Sequence, residues 1–261
     1  MLHRSSPEGL ICITQPNHSW VSGQLAQAWG NEEFGQVTPW QEVCLGAQQH
    51  DIGWLKWEQQ PTLNPQTGYP RKFSELPIQV HVNIWSSAKQ QALPFGRYAT
   101  LLISLHGSGL YERYLGWKNS VESTQIVQNF LEGEHAFQAQ LVASLQDDPY
   151  YAPYMTPEVL DRNRRLVAVW DALSLLVCQG FTGEQQVSRV PTTDGETTLT
   201  LTYIDDNPHR IRVSPWPFGS SQVNLVFEGR LLRQPFTDEI AMRDALRANC
   251  WITLNTTLQP E

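Results

Sequence analysis

The chain has 261 residues, enough to bury a substantial core in one large domain or two small ones, and its 41% hydrophobic and 17% charged content is ordinary for a folded globular protein. A formal net charge of −8, with Lys and Arg in no run longer than a pair, argues against a reader of the phosphate backbone, so no nucleic acid partner is expected. No stretch reaches the roughly 20 apolar residues of a membrane span, and the first residues lack the apolar core of a signal peptide. Cys12, Cys44, Cys178 and Cys250 are scattered without a CxxC, so the expectation is reduced thiols, a cytoplasmic location and no membrane partner.

"GLICIT" (9–14) is a short strand candidate, ended by "QPN". "NHSWVSGQLAQAWG" predicts a helix with Asn17 as N-cap and Gly30 as its stop. The next helix opens at "TPWQ", with Thr38 as N-cap, Pro39 at the first helical position and Gln41 three residues after the cap. Along it Trp40, Val43, Cys44, Ala47 and His50 recur at helical spacing, which puts His50 on the buried side. Residues 58–77, rich in Pro, Gly and polar residues, form a long loop of the kind that is often functional.

Four more helices follow in "IQVHVNIWSSAKQQAL", "YATLLISLHGSGLY", "VESTQIVQNFLEGEHAFQAQLVASLQ" and "TPEVLDRNRRLVAVWDALSLLVC", the last opening on Thr-Pro and closing at Gly180. After about residue 185 the pattern changes. "TTLTLTYI", "HRIRVSPW", "SQVNLVFEGRLL" and "CWITLNTTL" alternate apolar and polar residues, with one short helical piece near "TDEIAMRDALRAN". The expected order is a helical block over 1–185, with a short N-terminal strand, and then an antiparallel β region over 186–261.

Four polar residues interrupt apolar helical faces: His18, His50, Asp51 and Asp171. Asp171 sits in "RLVAVWDALSLLVC", on one stripe with Val167, Ser174 and Cys178. A buried carboxylate must be paired, protonated or bound to a metal. Two imidazoles and two carboxylates suit one divalent transition metal: Zn, Fe, Mn, Co or Ni. The adjacent pair His50-Asp51 can serve one ion if the helix loosens there, which Gly53 permits. His81 and His106 also stand on apolar faces, where they can hold a second ion or act as acid groups. Arg71 and Lys72 can hold a phosphate. Taken singly, each of these residues has a bland reading: a lone buried His is most often a hydrogen-bonded core residue, and Asp171 could brace a neighbouring helix.

The order His, His-Asp, distant Asp resembles the HD superfamily of metal-dependent phosphohydrolases. More closely, "QPNHSWVSGQLAQAWG", "HDIGW", "LPIQVHVNIWSSA", "YATLLISLHGSGLY" and "WDALSLLVC" look like the bacterial family called domain of unknown function 3891. The resemblance implies an α+β chain with a mainly helical, HD-domain-like core and a C-terminal antiparallel β region. It implies that His18, His50, Asp51 and Asp171 bind one metal, and that His81 and His106 serve a second metal or phosphate.

The leading expectation is a phosphohydrolase acting on a small anionic phosphoester or nucleotide. In it Asp51 orients the attacking water, His81 or His106 protonates the leaving oxygen, and Arg71 and Lys72 neutralise the phosphate. The alternatives are a di-iron oxygenase using the same imidazoles, and a non-catalytic metal-stabilised binding protein. A homodimer paired along an open sheet edge is one option for its partner.

Overall fold

The computed structural model describes residues 1–248 and 250–261. Its sheet overturns the expected order of a mainly helical core followed by an antiparallel C-terminal region. Strands β1 (Leu2–Ser6) and β2 (Gly9–Ile13) form a hairpin, and β2 pairs with β8 (Val223–Leu232) through Leu10↔Leu232 and Cys12↔Arg230. With β5 (Gln185–Pro191), β6 (Glu196–Ile204), β7 (Asn207–Ser214) and β9 (Trp251–Gln259) they make one seven-stranded sheet, ordered β1-β2-β8-β9-β7-β6-β5. The sheet is mixed, because β7 and β9 run parallel. The N-terminal strand is therefore part of the large sheet. Local pattern could not show this, since the partners lie more than 200 residues apart.

Helix α1 (Gln15–Ala28) ties the helices to this sheet. β2 covers β8 only as far as Arg230, which leaves the Val226–Glu228 edge without a strand partner on that side. Side chains of α1 take its place: Gln24 accepts from the Val226 N–H and donates to its carbonyl, Trp20 donates to the same carbonyl, and Asn17 accepts from the Glu228 N–H. An open edge is thereby closed without another strand. Asn17, expected as the N-cap, is committed to the sheet, and Thr14 caps the helix instead by accepting from the Asn17 N–H.

Helix α2 (Trp40–Gln48) starts one residue later than predicted, behind Pro39 and with no side-chain cap; the Thr38 carbonyl accepts from Asn163 Nδ2. A short helix α3 (Leu55–Gln59) and a two-stranded ribbon, β3 (Leu63–Asn64) with β4 (Tyr69–Pro70), occupy much of the predicted long loop. Helices α4 (Ile78–Ala92), α5 (Arg97–Arg113), α6 (Val121–Gln146) and α7 (Pro157–Gln179) follow. Thr156 caps α7 and Gly180, at φ +73°, ends it, as the sequence predicts. The predicted late helical piece is α8 (Glu239–Arg247); the expected continuation to Asn249 lies outside the described residues.

One apolar cluster runs through both parts of the chain. Val21 and Leu25 of α1, and Trp29 just after it, share it with Trp170 and Leu173 of α7 and with Leu225 and Phe227 of β8. Along β8 burial alternates with the two-residue period of a half-buried strand. No helix among the described residues is long and apolar enough to cross a membrane.

Candidate metal centre

His18 projects from α1 and Asp171 from α7, two helices that pack together over the sheet. His50 and Asp51 come from the turn where α2 has ended. The helix stops at Gln48, and Asp51 has φ −101° and ψ 21°, between the helical and extended regions, so two adjacent side chains can aim at one point. Gly53 acts differently from the expected loosening. A Cβ there would lie 2.4 Å from the Ile84 carbonyl oxygen of α4, so its service is close approach between turn and helix.

These four side chains meet. His18 Nε2 lies 3.0 Å from Asp171 Oδ1 and 3.5 Å from Asp51 Oδ2. His50 Nε2 lies 3.5 Å from Asp171 Oδ1 and 3.6 Å from Asp51 Oδ2, and the two Nε2 atoms are 3.2 Å apart. The histidines are wholly buried and Asp51 nearly so, whereas the Asp171 side chain keeps 15% of its surface exposed.

The hydrogen bonds behind the rings set the tautomers. His50 Nδ1 donates to the Ala47 carbonyl at 2.8 Å, which leaves Nε2 as a lone pair. His18 Nδ1 lies 2.7 Å from Ser174 Oγ, whose own hydrogen goes to the Asp171 carbonyl; the serine accepts, and His18 Nε2 is a lone pair too. Ser22 Oγ, 2.8 Å from Ser174 Oγ, steadies the hydroxyl. With both rings neutral, two imidazole lone pairs and two carboxylate oxygens thus converge, and a donor arises there only where a ring takes up a further proton.

Four converging acceptors repel unless a cation or proton sits between them. Ligands held about 2.0–2.2 Å from one ion stand roughly 2.9–3.5 Å from each other, and the separations here run from 3.0 to 3.6 Å. The residues therefore fit a transition-metal ion. Without one, a proton partly substitutes. Burial alone would push the His50 imidazole down, but the Asp51 and Asp171 carboxylates and the Ala47 carbonyl outweigh it and hold its pKa up at about 9. Burial works against ionised Asp171 as well, yet the hydrogen bonds from His18 and His50 hold its carboxyl well below the usual range. At Asp51 burial wins and the carboxyl is pushed up.

His106, on α5, packs its ring on His50 with centroids 4.6 Å apart and brings Nε2 to 3.8 Å from Asp171 Oδ2. Its Nδ1 is buried with no hydrogen-bond partner among the described residues, and burial lowers its pKa to about 3, so the ring is neutral. With His50 and Asp171 it forms a second potential ligand group that shares His50 with the group of His18, His50 and Asp51. His81, on α4, meets Tyr111 through Nδ1 at 2.5 Å, and burial lowers its pKa to about 4.

A cavity of about 570 Å³ opens beside the cluster, and Asp51, Asp171, His106 and His81 all line it. Arg71 and Lys72 do not, although their neighbours Phe73 and Ser74 do. The Lys72 side chain is exposed, and its backbone N–H donates to Glu75 in a short 3-10 turn. Sequence reasoning missed Ser22 and Ser174 as the groups that fix His18. The available signal was a serine three residues after Asp171 in an otherwise apolar helix.

Residues 1–234 match the model of the family described as a protein of unknown function, DUF3891, and the chain belongs to that family. No curated protein and no solved structure matches it. The likeness to the HD superfamily is not shown by any of these comparisons, and the observed mixed sheet, which takes in the N-terminal strands, overturns the mainly helical core that likeness implied.

Proposed function

We propose that this protein is a metal-dependent hydrolase of a small molecule, with one divalent transition-metal ion held by His18, His50, Asp51 and Asp171. The observation that carries the reading is the convergence of two imidazole Nε2 atoms and two carboxylate oxygens, with no Lys or Arg of the described residues among them, beside a cavity. Such an ion supplies Lewis acidity and lowers the pKa of water toward 7.

The chain's own residues divide the remaining work. Ser174 and the Ala47 carbonyl keep both imidazoles in the ligating tautomer. Asp51 borders both cluster and cavity, where it can take the proton of an attacking water. His106 and His81 line the same cavity as neutral rings, suited to donate an N–H to a leaving oxygen. The two potential ligand groups share His50, which favours one ion over the separate pair an oxygenase would need.

The test is elemental analysis of the purified chain, followed by hydrolysis assays on p-nitrophenyl phosphate and p-nitrophenyl acetate. One ion per chain is expected, lost in His50→Ala together with turnover. A metal-free wild-type chain that cannot be loaded, or turnover unchanged in His50→Ala, overturns the reading.

A further inference from the structure

The cavity has a chemical character that the cluster alone does not disclose. Its only charged lining groups among the described residues are Asp51 and Asp171, both at the cluster, and it contains no Lys or Arg. The remaining wall is largely aromatic and aliphatic, with Trp54, Trp85, Tyr111, Trp117, Leu110 and Leu175 prominent. The polar tips of two of these are already used: Trp117 Nε1 donates to the Tyr111 carbonyl at 2.8 Å, and the Tyr111 hydroxyl meets His81. Tyr114, 72% exposed, belongs to the same lining and gives the cavity an aromatic rim. The volume falls in the range of sites that enclose a drug-sized molecule.

We propose that the substrate of this cavity is a molecule with an uncharged aromatic or aliphatic body and a single polar head that meets the ion, and that nucleotides and other polyanions are rejected. The inference rests on the hydrolase reading for the head and on the wall for the body. An anionic group away from the ion would be desolvated against apolar side chains, without a counter-charge and close to two carboxylates. An aromatic body finds ring faces and apolar surface there instead. The expected phosphate grip of Arg71 and Lys72 is absent from this wall.

Matched probes test the body independently of the head. Benzohydroxamate, 4-methylbenzohydroxamate, 4-carboxybenzohydroxamate and acetohydroxamate share one metal-binding group, and their affinities for the zinc-loaded full chain are read by titration calorimetry. The benzo and 4-methyl probes are expected to bind at least tenfold tighter than acetohydroxamate, and the 4-carboxy probe at least tenfold weaker than the 4-methyl. Trp117→Ala should shrink the first ratio, which locates the probe in this cavity. Equal binding of benzo- and acetohydroxamate, or a 4-carboxy probe as tight as the 4-methyl, overturns the proposal.

A metal-free arm separates this result from the fate of the hydrolase reading. The chelator-treated chain is expected to bind 2-naphthol and not 2-naphthoate, read by tryptophan fluorescence. That outcome supports the apolar-bodied ligand even if no metal can be loaded, and the opposite preference overturns it.

Discussion

Two buried carboxylate clusters flank α5, and they are built on opposite principles. Ser104 and Ser108 meet Glu134 and Gln138 of α6, while His106, two residues from each serine and so on the far side of the helix, meets Asp171. In the α6 cluster Lys89 Nζ lies 2.7 Å from Glu134 Oε1, Ser104 Oγ donates to Oε2, and Gln138 donates to both serines. That charge is closed within the chain. In the other cluster the carboxylates face two imidazoles, which donate only when they take up a further proton, and no Lys or Arg among the described residues enters. A buried carboxylate with its own cation is a brace, and one left facing lone pairs is a place for a ligand.

The largest test of this contrast is zinc itself. An ion that binds only the folded chain stabilises it by about 4 kcal/mol at a thousand times its Kd. Thermal unfolding with and without zinc should show that increment in wild type and lose it in Asp171→Asn. An equal shift in both proteins would place the ion elsewhere.

Lys89→Met should act in the converse way. It strands Glu134, buried to 2% of its side-chain surface, without a cation. The loss is expected near 3 kcal/mol, the low end for one partner of a buried pair, because Lys89 keeps 22% of its side chain exposed. Urea unfolding measures it, and the same loss should appear with and without zinc. A loss that zinc restores would join the two clusters into one site.

The cavity wall between these extremes gives an acid-side signature. His81 is held at about pKa 4, against 6.5 in the unfolded chain, so the unfolded chain binds more protons between those values. Its contribution is fully present above pH 6.5 and is lost as pH falls toward 4, by about 2 kcal/mol at pH 5. His81→Gln should flatten that part of a stability-against-pH curve. An unchanged slope would mean that His81 meets water as freely in the fold as out of it.

How much of this was legible depended on whether a feature is local. The helices were, since Thr156-Pro157 and Gly180 bracket α7 in the sequence as they do in the structure. His18, His50, Asp51 and Asp171 stood out because each breaks an apolar face, and they do converge. The sheet was half legible: alternation marked β6 to β9, but nothing in "GLICI" says that it borders β8, or in "LHRSS" that it extends the same sheet. Asn17 looked like a cap because the strand edge that takes its side chain lies 211 residues away. Arg71 and Lys72 were chosen for charge alone, and charge does not say where a loop docks.

The smallest test compares two serines and is the most discriminating. Ser174 accepts from His18 Nδ1 and so keeps the Nε2 lone pair facing its neighbours; Ser104 donates to Glu134. Ser174→Ala removes the group that fixes a ligand's tautomer, and it should weaken zinc binding about tenfold, or about 1.4 kcal/mol. Ser104→Ala removes a hydrogen bond to a carboxylate that still has its lysine, so it should cost about 1.5 kcal/mol of stability and leave zinc affinity unchanged. Competition titration with a zinc indicator and urea unfolding, run on both variants, give four numbers. If both serines moved the same quantity, tautomer control would not be what Ser174 does, and the division between closed and open clusters would fail at its finest point.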